Sequence, residues 1–507
     1  MRTLSRTFVC DAAQLSRLRI PRDDIVGEQS TGDDRWGLEH GPFSRYERNL
    51  DVVASEDEST WEVTETHEFA LAIPVWGRLF QPLVAHALRH RRDSYGYWWA
   101  PPDRLEARAA TVLGLLCAIQ IVDGYLGTVL TQTLTFAADE FHRDNTAQGL
   151  VLGGVRAGVL IALFAVALAD RRGRKSLLIL AGLGSCAFTV LGGLSTGLWM
   201  LGSTQLVARG MSTALGILIV VVAAEEMPAR SRAWAASVLV LSAGLGSGMA
   251  VWILPVADLD VRGWRVVYLM AGVGLFVVLA VGRRLPESHR FELIERDVRE
   301  IRVVDDETRD RRRRRLVLLA VSAFLIAMFA APASGFQNDF LKDERGFSAA
   351  QISLFTLVTS TPAGIGVLLG GYLAETRGRR PIGAIGLVGG SMLAMLAFFS
   401  SGFGLWALTL GGVVVGGMAV PALAVYGPEL FGTHDRGRAN GVIVTVGVAG
   451  SAVGLLLAGV LSDGMGGTIA PVLALLSIGP LIVAGLVLTL YPETAATELE
   501  EINPEDA

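Results

Sequence analysis

The sequence predicts an all-α membrane protein of twelve transmembrane helices in two six-helix bundles, with a small α+β extension in front. Three observations predict it. From Ala109 onward the chain holds roughly twelve apolar runs of bilayer length, ending near Leu134, Ala169, Leu194, Ala224, Val256, Val281, Gln337, Ala374, Ser401, Tyr426, Leu461 and Leu490. Lys and Arg gather in alternate connections between those runs. Charged signatures that follow apolar runs also recur about 205 residues later in the same order. Asp170 to Lys175 returns as Glu375 to Arg380, Glu226 with Arg232 as Glu429 with Arg436, and Pro286-Glu287-Ser288 as Pro492-Glu493-Thr494. The chain is therefore a duplicated membrane module.

Each element follows from local composition. Half of the 507 residues are apolar (51%) and charge is confined to short clusters, a distribution a soluble core of this size does not need. Glycines inside the runs, such as Gly153, Gly246, Gly370 and Gly416, suit close helix packing in lipid and would weaken soluble helices. The basic connections (Arg171 to Lys175, Arg309 to Arg315, Arg377 to Arg380) place both termini in the cytoplasm of a plasma-membrane protein. A net charge of −5 gives no reason to invoke nucleic acid, since orientation explains the Arg-rich loops. Cys10, Cys117 and Cys186 are scattered and read as packed thiols, with no disulfide framework and no metal site.

The first hundred residues are polar and mixed and lack a signal peptide. Arg45 to Val53 and Thr60 to Ile73 read as strands, the second with Trp61, Val63, Phe69, Leu71 and Ile73 on one face. Apolar residues from Trp76 to Leu88 follow helical spacing, so an amphipathic helix either packs on those strands or lies in the lipid interface; packing is favoured because strands need a cover. Tyr95, Tyr97, Trp98 and Trp99 read as an aromatic interface belt. The predicted organisation is an extension over 1–105, a first bundle over 106–284, a charged linker over 285–315 with a surface helix from Glu292 to Val303, a second bundle over 316–492 and a tail over 493–507.

Ala169 to Lys175 and Glu375 to Arg380 resemble the loop signature of the major facilitator superfamily. In physical terms Asp170 ends a helix, Gly173 permits a tight turn, and Arg174 folds back toward carboxylates or helix ends; Glu375, Gly378 and Arg379 repeat the arrangement. Two departures stand: Val166 replaces the usual opening Gly, and Glu375 the usual Asp. Glu226 with Arg232 and Glu429 with Arg436 resemble the acidic-then-basic pairs of the sugar-porter branches. The resemblance implies a transporter whose charge latches close the cytoplasmic side, whereas orientation by positive charge alone is the plainer reading.

Ionisable groups deep inside spans point more sharply to function, because each costs at least about 2.5 kcal/mol in hydrocarbon. Asp123, Arg156 and Arg209 lie near mid-span, all in the first half. Asp123 is the natural proton carrier, paired with Arg209, while Arg156 binds either Asp123 or a substrate carboxylate; a permanently locked Asp123–Arg209 pair is the structural alternative. The pair resembles the first-helix acid and fourth-helix Arg of proton-linked sugar symporters. Asp123-Gly124-Tyr125 resembles the opening of the aromatic-acid symporter motif, although Leu126 stands where its second acid belongs. Candidate substrate contacts are Tyr125, Gln205, Gln337, Asn338 and Tyr426.

The resemblance thus implies a secondary active transporter of a small organic solute, a proton-coupled symporter that works as a monomer without a cofactor. Proton-coupled efflux is the nearest rival, and a sensor reporting through the extension is a more distant one. No Gly-x-x-x-x-Gly-Lys-Ser/Thr loop is present to take ATP, and the His residues show no catalytic spacing.

Overall fold

Hydrocarbon admits only segments that satisfy their own backbone, so the apolar runs become helices. The computed structural model describes residues 2–54, 60–92, 95–97, 99–101, 103–159, 161–162, 174–228, 231–286, 306–431 and 436–495. Among them eleven helices are long and apolar enough to cross a membrane. They are the first span (Ala107–Glu140), third (Arg174–Gly193), fourth (Leu198–Ala223), fifth (Trp234–Asp258) and sixth (Trp264–Gly282) of one bundle. The other bundle holds the seventh (Asp310–Glu344), eighth (Ala349–Ala374), ninth (Arg379–Phe398), tenth (Gly402–Ala424), eleventh (Ala439–Gly464) and twelfth (Ala470–Leu490). The second span opens with the helix Asn145–Arg156 and leads into residues 163–173, outside the described residues, which is why the count stops at eleven.

Duplication is visible in the packing. The first span lies on the fifth as the seventh lies on the eleventh, and the third lies on the fourth and sixth as the ninth lies on the tenth and twelfth. Gly246 brings the fifth span against the backbone of Ile121, where any Cβ would collide with that carbonyl. The helix of the seventh span begins at Asp306, so Arg311 to Arg315 lie on its continuation. The predicted surface helix from Glu292 to Val303 lies outside the described residues.

The extension is larger in strand content than the sequence suggested. Beside β4 (Phe43–Ala54) and β5 (Thr60–Leu71), which the alternation found, it contains β1 (Arg2–Asp11), β2 (Gly27–Gly32) and β3 (Arg35–His40). They form one antiparallel sheet in the order β1-β5-β4-β3-β2. The helix α1 (Ala12–Leu18) follows β1 on an Asp11/Gln14 capping box, and α2 (Gly77–Arg89) follows β5. Val84 and Leu88 of α2 join Leu4, Phe43, Tyr46 and Phe69 in one core, so α2 does cover the sheet, while Leu79 and Leu83 on its other side stay exposed. Arg22 closes the end of α2, donating to Leu88 O at 2.7 Å and Ala87 O at 3.2 Å while paired with Asp24. Tyr97 and Trp99 pack at this core instead of forming a lipid-facing belt: Tyr97 is buried and Arg92 Cζ sits 4.8 Å from its ring centre. Trp98 lies outside the described residues.

Charges also sit on the buried faces of these strands, whereas β1, with only Leu4 and Cys10 buried, and the polar β2 offered little apolar alternation to find. Arg48 of β4 is fully buried and holds Glu28 of β2 at 2.8 Å and Glu65 of β5 at 3.4 Å. Arg6 of β1 reaches Glu65 at 2.7 Å, and Tyr46 Oη donates to Glu28 at 2.6 Å with His67 Nδ1 at 3.1 Å from the same hydroxyl. Burial pushes the Glu65 carboxyl up, but His67, Arg6 and Arg48 outweigh it and hold it well below its ordinary range. Burial, helped by Arg22 and Arg48, pushes the His67 imidazole down against the pull of Glu65.

Both groups bind protons more readily in the unfolded chain, so the stability of the extension falls as pH drops, first below the ordinary histidine value of 6.5 and further below the ordinary glutamate value of 4.5. Amide exchange across β5, referenced to the intrinsic rate at each pH, should lose protection between about pH 7 and about pH 5 in the native chain and far less in His67→Gln. Equal pH dependence in the two proteins would remove His67 from the account.

Candidate functional site

Asp123 sits near the middle of the first span and lines a cleft of about 370 Å³ with Gly124, Arg209, Ser212, Gly216 and Ser247, from the first, fourth and fifth spans. Ser212 Oγ donates to Asp123 Oδ1 at 2.5 Å and Gln120 Nε2 to Oδ2 at 3.3 Å. Arg209 Nη1 donates to Gly127 O at 2.8 Å, one turn along the first span. The two charges share the cleft, but the ion pair expected between Asp123 and Arg209 is not formed: each is held by neutral partners. The locked pair of the structural alternative is absent from this conformation.

Arg209 also faces a smaller pocket of about 40 Å³, where Arg156 and Gln205 meet it against Leu130 and Leu152. Among the described residues Arg156 has no hydrogen-bond or ion-pair partner, and the buried Nε2 of Gln205 has none either. Two guanidiniums and an amide thus line one membrane pocket, and among the described residues no carboxylate is bonded to any of them. The helix carrying Arg156 breaks at Ala157 and Gly158, and the eighth span breaks at Thr361 and Pro362, about 205 residues later. The two breaks therefore stand at corresponding points of the two repeats.

The other residues expected to contact substrate line neither of these two pockets. Tyr125 is buried inside the first bundle and donates to Val267 O at 2.5 Å. Tyr426 is fully buried in the second bundle, its ring edge-on to Tyr491 at 4.9 Å. Gln337 lines a separate cavity of about 260 Å³ with Ser334 and Phe398. Asn338 bridges the bundles, donating to Gln132 O at 2.9 Å and Gln132 Oε1 at 3.1 Å. Apolar periodicity cannot say which side of a fully apolar helix faces the axis, so the sequence could not tell that these four lie apart from the Asp123 cleft.

The side opposite the extension carries a polar seam between the bundles that the sequence reading missed. Asp463 of the eleventh span accepts from Asn145 N at 3.3 Å, Thr146 N at 2.7 Å and Thr146 Oγ1 at 2.5 Å, at the start of the second span. Asp258 of the fifth span accepts from Ala349 N at 2.7 Å and Ala350 N at 2.9 Å, at the start of the eighth. Each carboxylate caps a helix of the other bundle, where free N–H groups and the positive end of the dipole favour it. Gln148 also donates to the buried Asp339 at 3.0 Å, and Lys342 pairs with Asp139. A signal existed: Asp258 and Asp463 stand 205 residues apart, the period already seen in the basic loops.

The predicted latch residues have described partners within their own bundles. Arg174 pairs with Glu225 and Arg108 with Glu226 at 3.0 Å. Gly378 takes a φ of +99°, as the predicted turn requires, and starts the ninth span. Arg379 pairs with Glu429 and donates to Thr494 at 2.8 Å, while Glu493 accepts from Arg379 N at 2.9 Å and Arg380 N at 3.2 Å. Burial pushes Glu493 up, but these backbone donors, with those of Ala495 and Thr494, hold it below the usual carboxylate range. Asp170 and Gly173 lie outside the described residues, as do the side chains of Arg232, Glu375 and Arg436.

A family profile described as Major Facilitator Superfamily matches residues 116–337 and 319–506. The chain is 24% identical over 364 residues to a cis,cis-muconate transport protein of Acinetobacter baylyi, covering 68% of this chain and 85% of that one. It is 25% identical over 379 residues to a gentisate transporter of Corynebacterium glutamicum, covering 70% and 84%. Among solved structures, a bacterial homologue of the human lysosomal transporter Spinster, inward-facing and occupied, superposes with a TM-score of 0.64 at 18% identity, covering 79% of this chain and 98% of that one. That likeness concerns the fold.

Proposed function

Because the chain belongs to the major facilitator superfamily, and so is a multi-pass secondary transporter and not an enzyme, we propose that it carries a small organic carboxylate together with a proton by alternating access. The observation that carries this reading is Arg156, a guanidinium with no hydrogen-bond or ion-pair partner among the described residues, beside Arg209 and Gln205 in the pocket of the first bundle. A cation in a membrane interior is retained for a counter-charge, and among the described residues no carboxylate is paired with Arg156. The relatives named for muconate and gentisate, both carboxylates, support the same substrate class.

In this reading the bundles open on the side away from the extension, and the substrate carboxylate docks on Arg156 and Arg209 while Asp123 takes a proton. The far seam then closes, and the bundles part on the basic side, where Arg174, Glu226, Arg379 and Glu429 exchange their partners within each bundle for partners across the interface. Release of substrate and proton resets the cycle. Asp123 is suited to the proton because a carboxyl held by a hydroxyl and an amide has no cation locking its charge. The positive charge of the basic loops supports a cytoplasmic position for that side and both termini, and the same reading takes the protein as a plasma-membrane transporter that turns over as a monomer.

Purified protein in vesicles, with a pH gradient imposed, tests the proposal. Uptake of an aromatic or dienoic acid should be driven by an acidic exterior, Asp123→Asn should exchange substrate but no longer accumulate it, and Arg156→Gln should weaken binding about 10- to 100-fold. Gradient-driven accumulation that survives in Asp123→Asn would end the proton assignment. Binding of neutral or cationic solutes in preference to carboxylates, or a gradient that drives solute out, would end the substrate class or the direction.

A further inference from the structure

Between the extension and the membrane bundle lies a cavity of about 360 Å³ whose walls are apolar. Trp76, Leu79 and Phe80 form the extension's wall, Leu113 and Cys117 that of the first span, and Leu241 and Leu245 that of the fifth. Two polar groups at its wall are already engaged: Trp76 Nε1 donates to Gly114 O at 2.9 Å, and Ser242 Oγ gives its proton to Val238 O at 2.9 Å. A polar solute would lose its hydration there with nothing to replace it.

Depth decides what belongs in the cavity. Leu241 and Leu245 lie seven and eleven residues into the fifth span, about 10 to 17 Å along it at 1.5 Å per residue. They are 70% and 61% exposed on a membrane helix, so they face hydrocarbon and line the cavity at once. The cavity therefore opens sideways into the lipid. On the extension the exposed residues Val75 and Leu79, both 68% exposed, continue the same apolar strip from β5 into α2. Val75 holds a φ of +68°, unusual for a β-branched residue, in the turn that brings this edge against the first span.

We propose that this cavity takes an acyl chain of a phospholipid from the adjoining leaflet, so that the extension is seated on the transporter partly through a bound lipid. The volume lies in the range of about 300 to 1,000 Å³ typical of ligand pockets, and a flexible chain entering from hydrocarbon replaces contacts that an empty cavity would forfeit. The inference does not depend on what is transported.

Full-length protein in nanodiscs with a phospholipid carrying a diazirine in its acyl chain tests it. Cross-links should map to Leu79–Val84 and Leu241–Leu245 in the native chain, and fall severalfold at both in Leu241→Trp, which fills the mouth. Leu79→Glu, exposed and so harmless to the core, should do the same. Labelling of the lipid face at Leu488 and Leu490 should not change in either variant. Unchanged cross-linking in both variants, or cross-links on the span faces but none on the extension, would overturn the proposal. So would labelling by a diazirine fatty acid but not by the phospholipid, which would make the occupant a free apolar solute.

Discussion

Replacing Gly459 by leucine should leave a folded protein that no longer turns over and whose side opposite the extension stays open. Gly459 of the eleventh span lies against the second span, where a Cβ would run into Asn145 O and lie 3.2 Å from Gly149 Cα. Gly149 mirrors it, with an added Cβ 2.6 Å from Leu455 O. The spans of two different bundles touch backbone to backbone here, a contact only glycine permits. In a fixed core the added side chain would cost about 1 to 3 kcal/mol. Two bundles that rock have another outlet: the seam opens, the strain disappears, and the closed state loses population by about 10- to 100-fold. Spin labels on the far ends of the second and eleventh spans should report the longer distance, with substrate exchange abolished. Gly485→Leu, with nothing within 4 Å, serves as the control. A native distance distribution in Gly459→Leu would mean the seam does not gate.

How much of this was legible beforehand follows from the physics of each signal. Span positions and the duplication could be read because hydrocarbon enforces composition over some 20 residues and charge clusters keep their spacing. Asp123, Arg156 and Arg209 could be read because an ionisable group in such a run stands out against it. Nothing comparable marks Ser212 or Gln120, neutral residues whose place on Asp123 depends on helix rotation, nor tells that Tyr125 and Tyr426 are buried inside their own bundles. In the extension the pattern found β4 and β5 in spite of the inward Arg48, Glu65 and His67. It failed at β1, where only Leu4 and Cys10 are buried, and at the short β2 and β3, where Gly and polar residues replace alternation. The far seam is a different case. Its carboxylates sit at span ends, where charge is ordinary, and only the repeat offset distinguishes Asp258 and Asp463 from loop residues.

That offset supports the second large effect: Asp258→Asn and Asp463→Asn should each loosen the far seam, and the double variant should open it. Each carboxylate accepts two backbone N–H groups at the first turn of a helix in the other bundle, and Asp463 also takes the Thr146 hydroxyl. Asparagine keeps one acceptor and loses the charge, so the loss is the attraction between carboxylate and helix N-terminus, about 1 kcal/mol for each site. The sites belong to different helix pairs, eleventh with second and fifth with eighth, and share no partner, so the losses add. The closed state should therefore weaken roughly 5-fold in each single variant and roughly 30-fold in the double one. Because both anchors hold the same closed state, distances across both helix pairs should lengthen together, slightly in each single variant and much more in the double one. Thiol labelling at a cysteine placed in the Asn338 position, which the seam buries, should follow the same order. A double variant no more open than either single one would show that the carboxylates cap their helices without holding the bundles together.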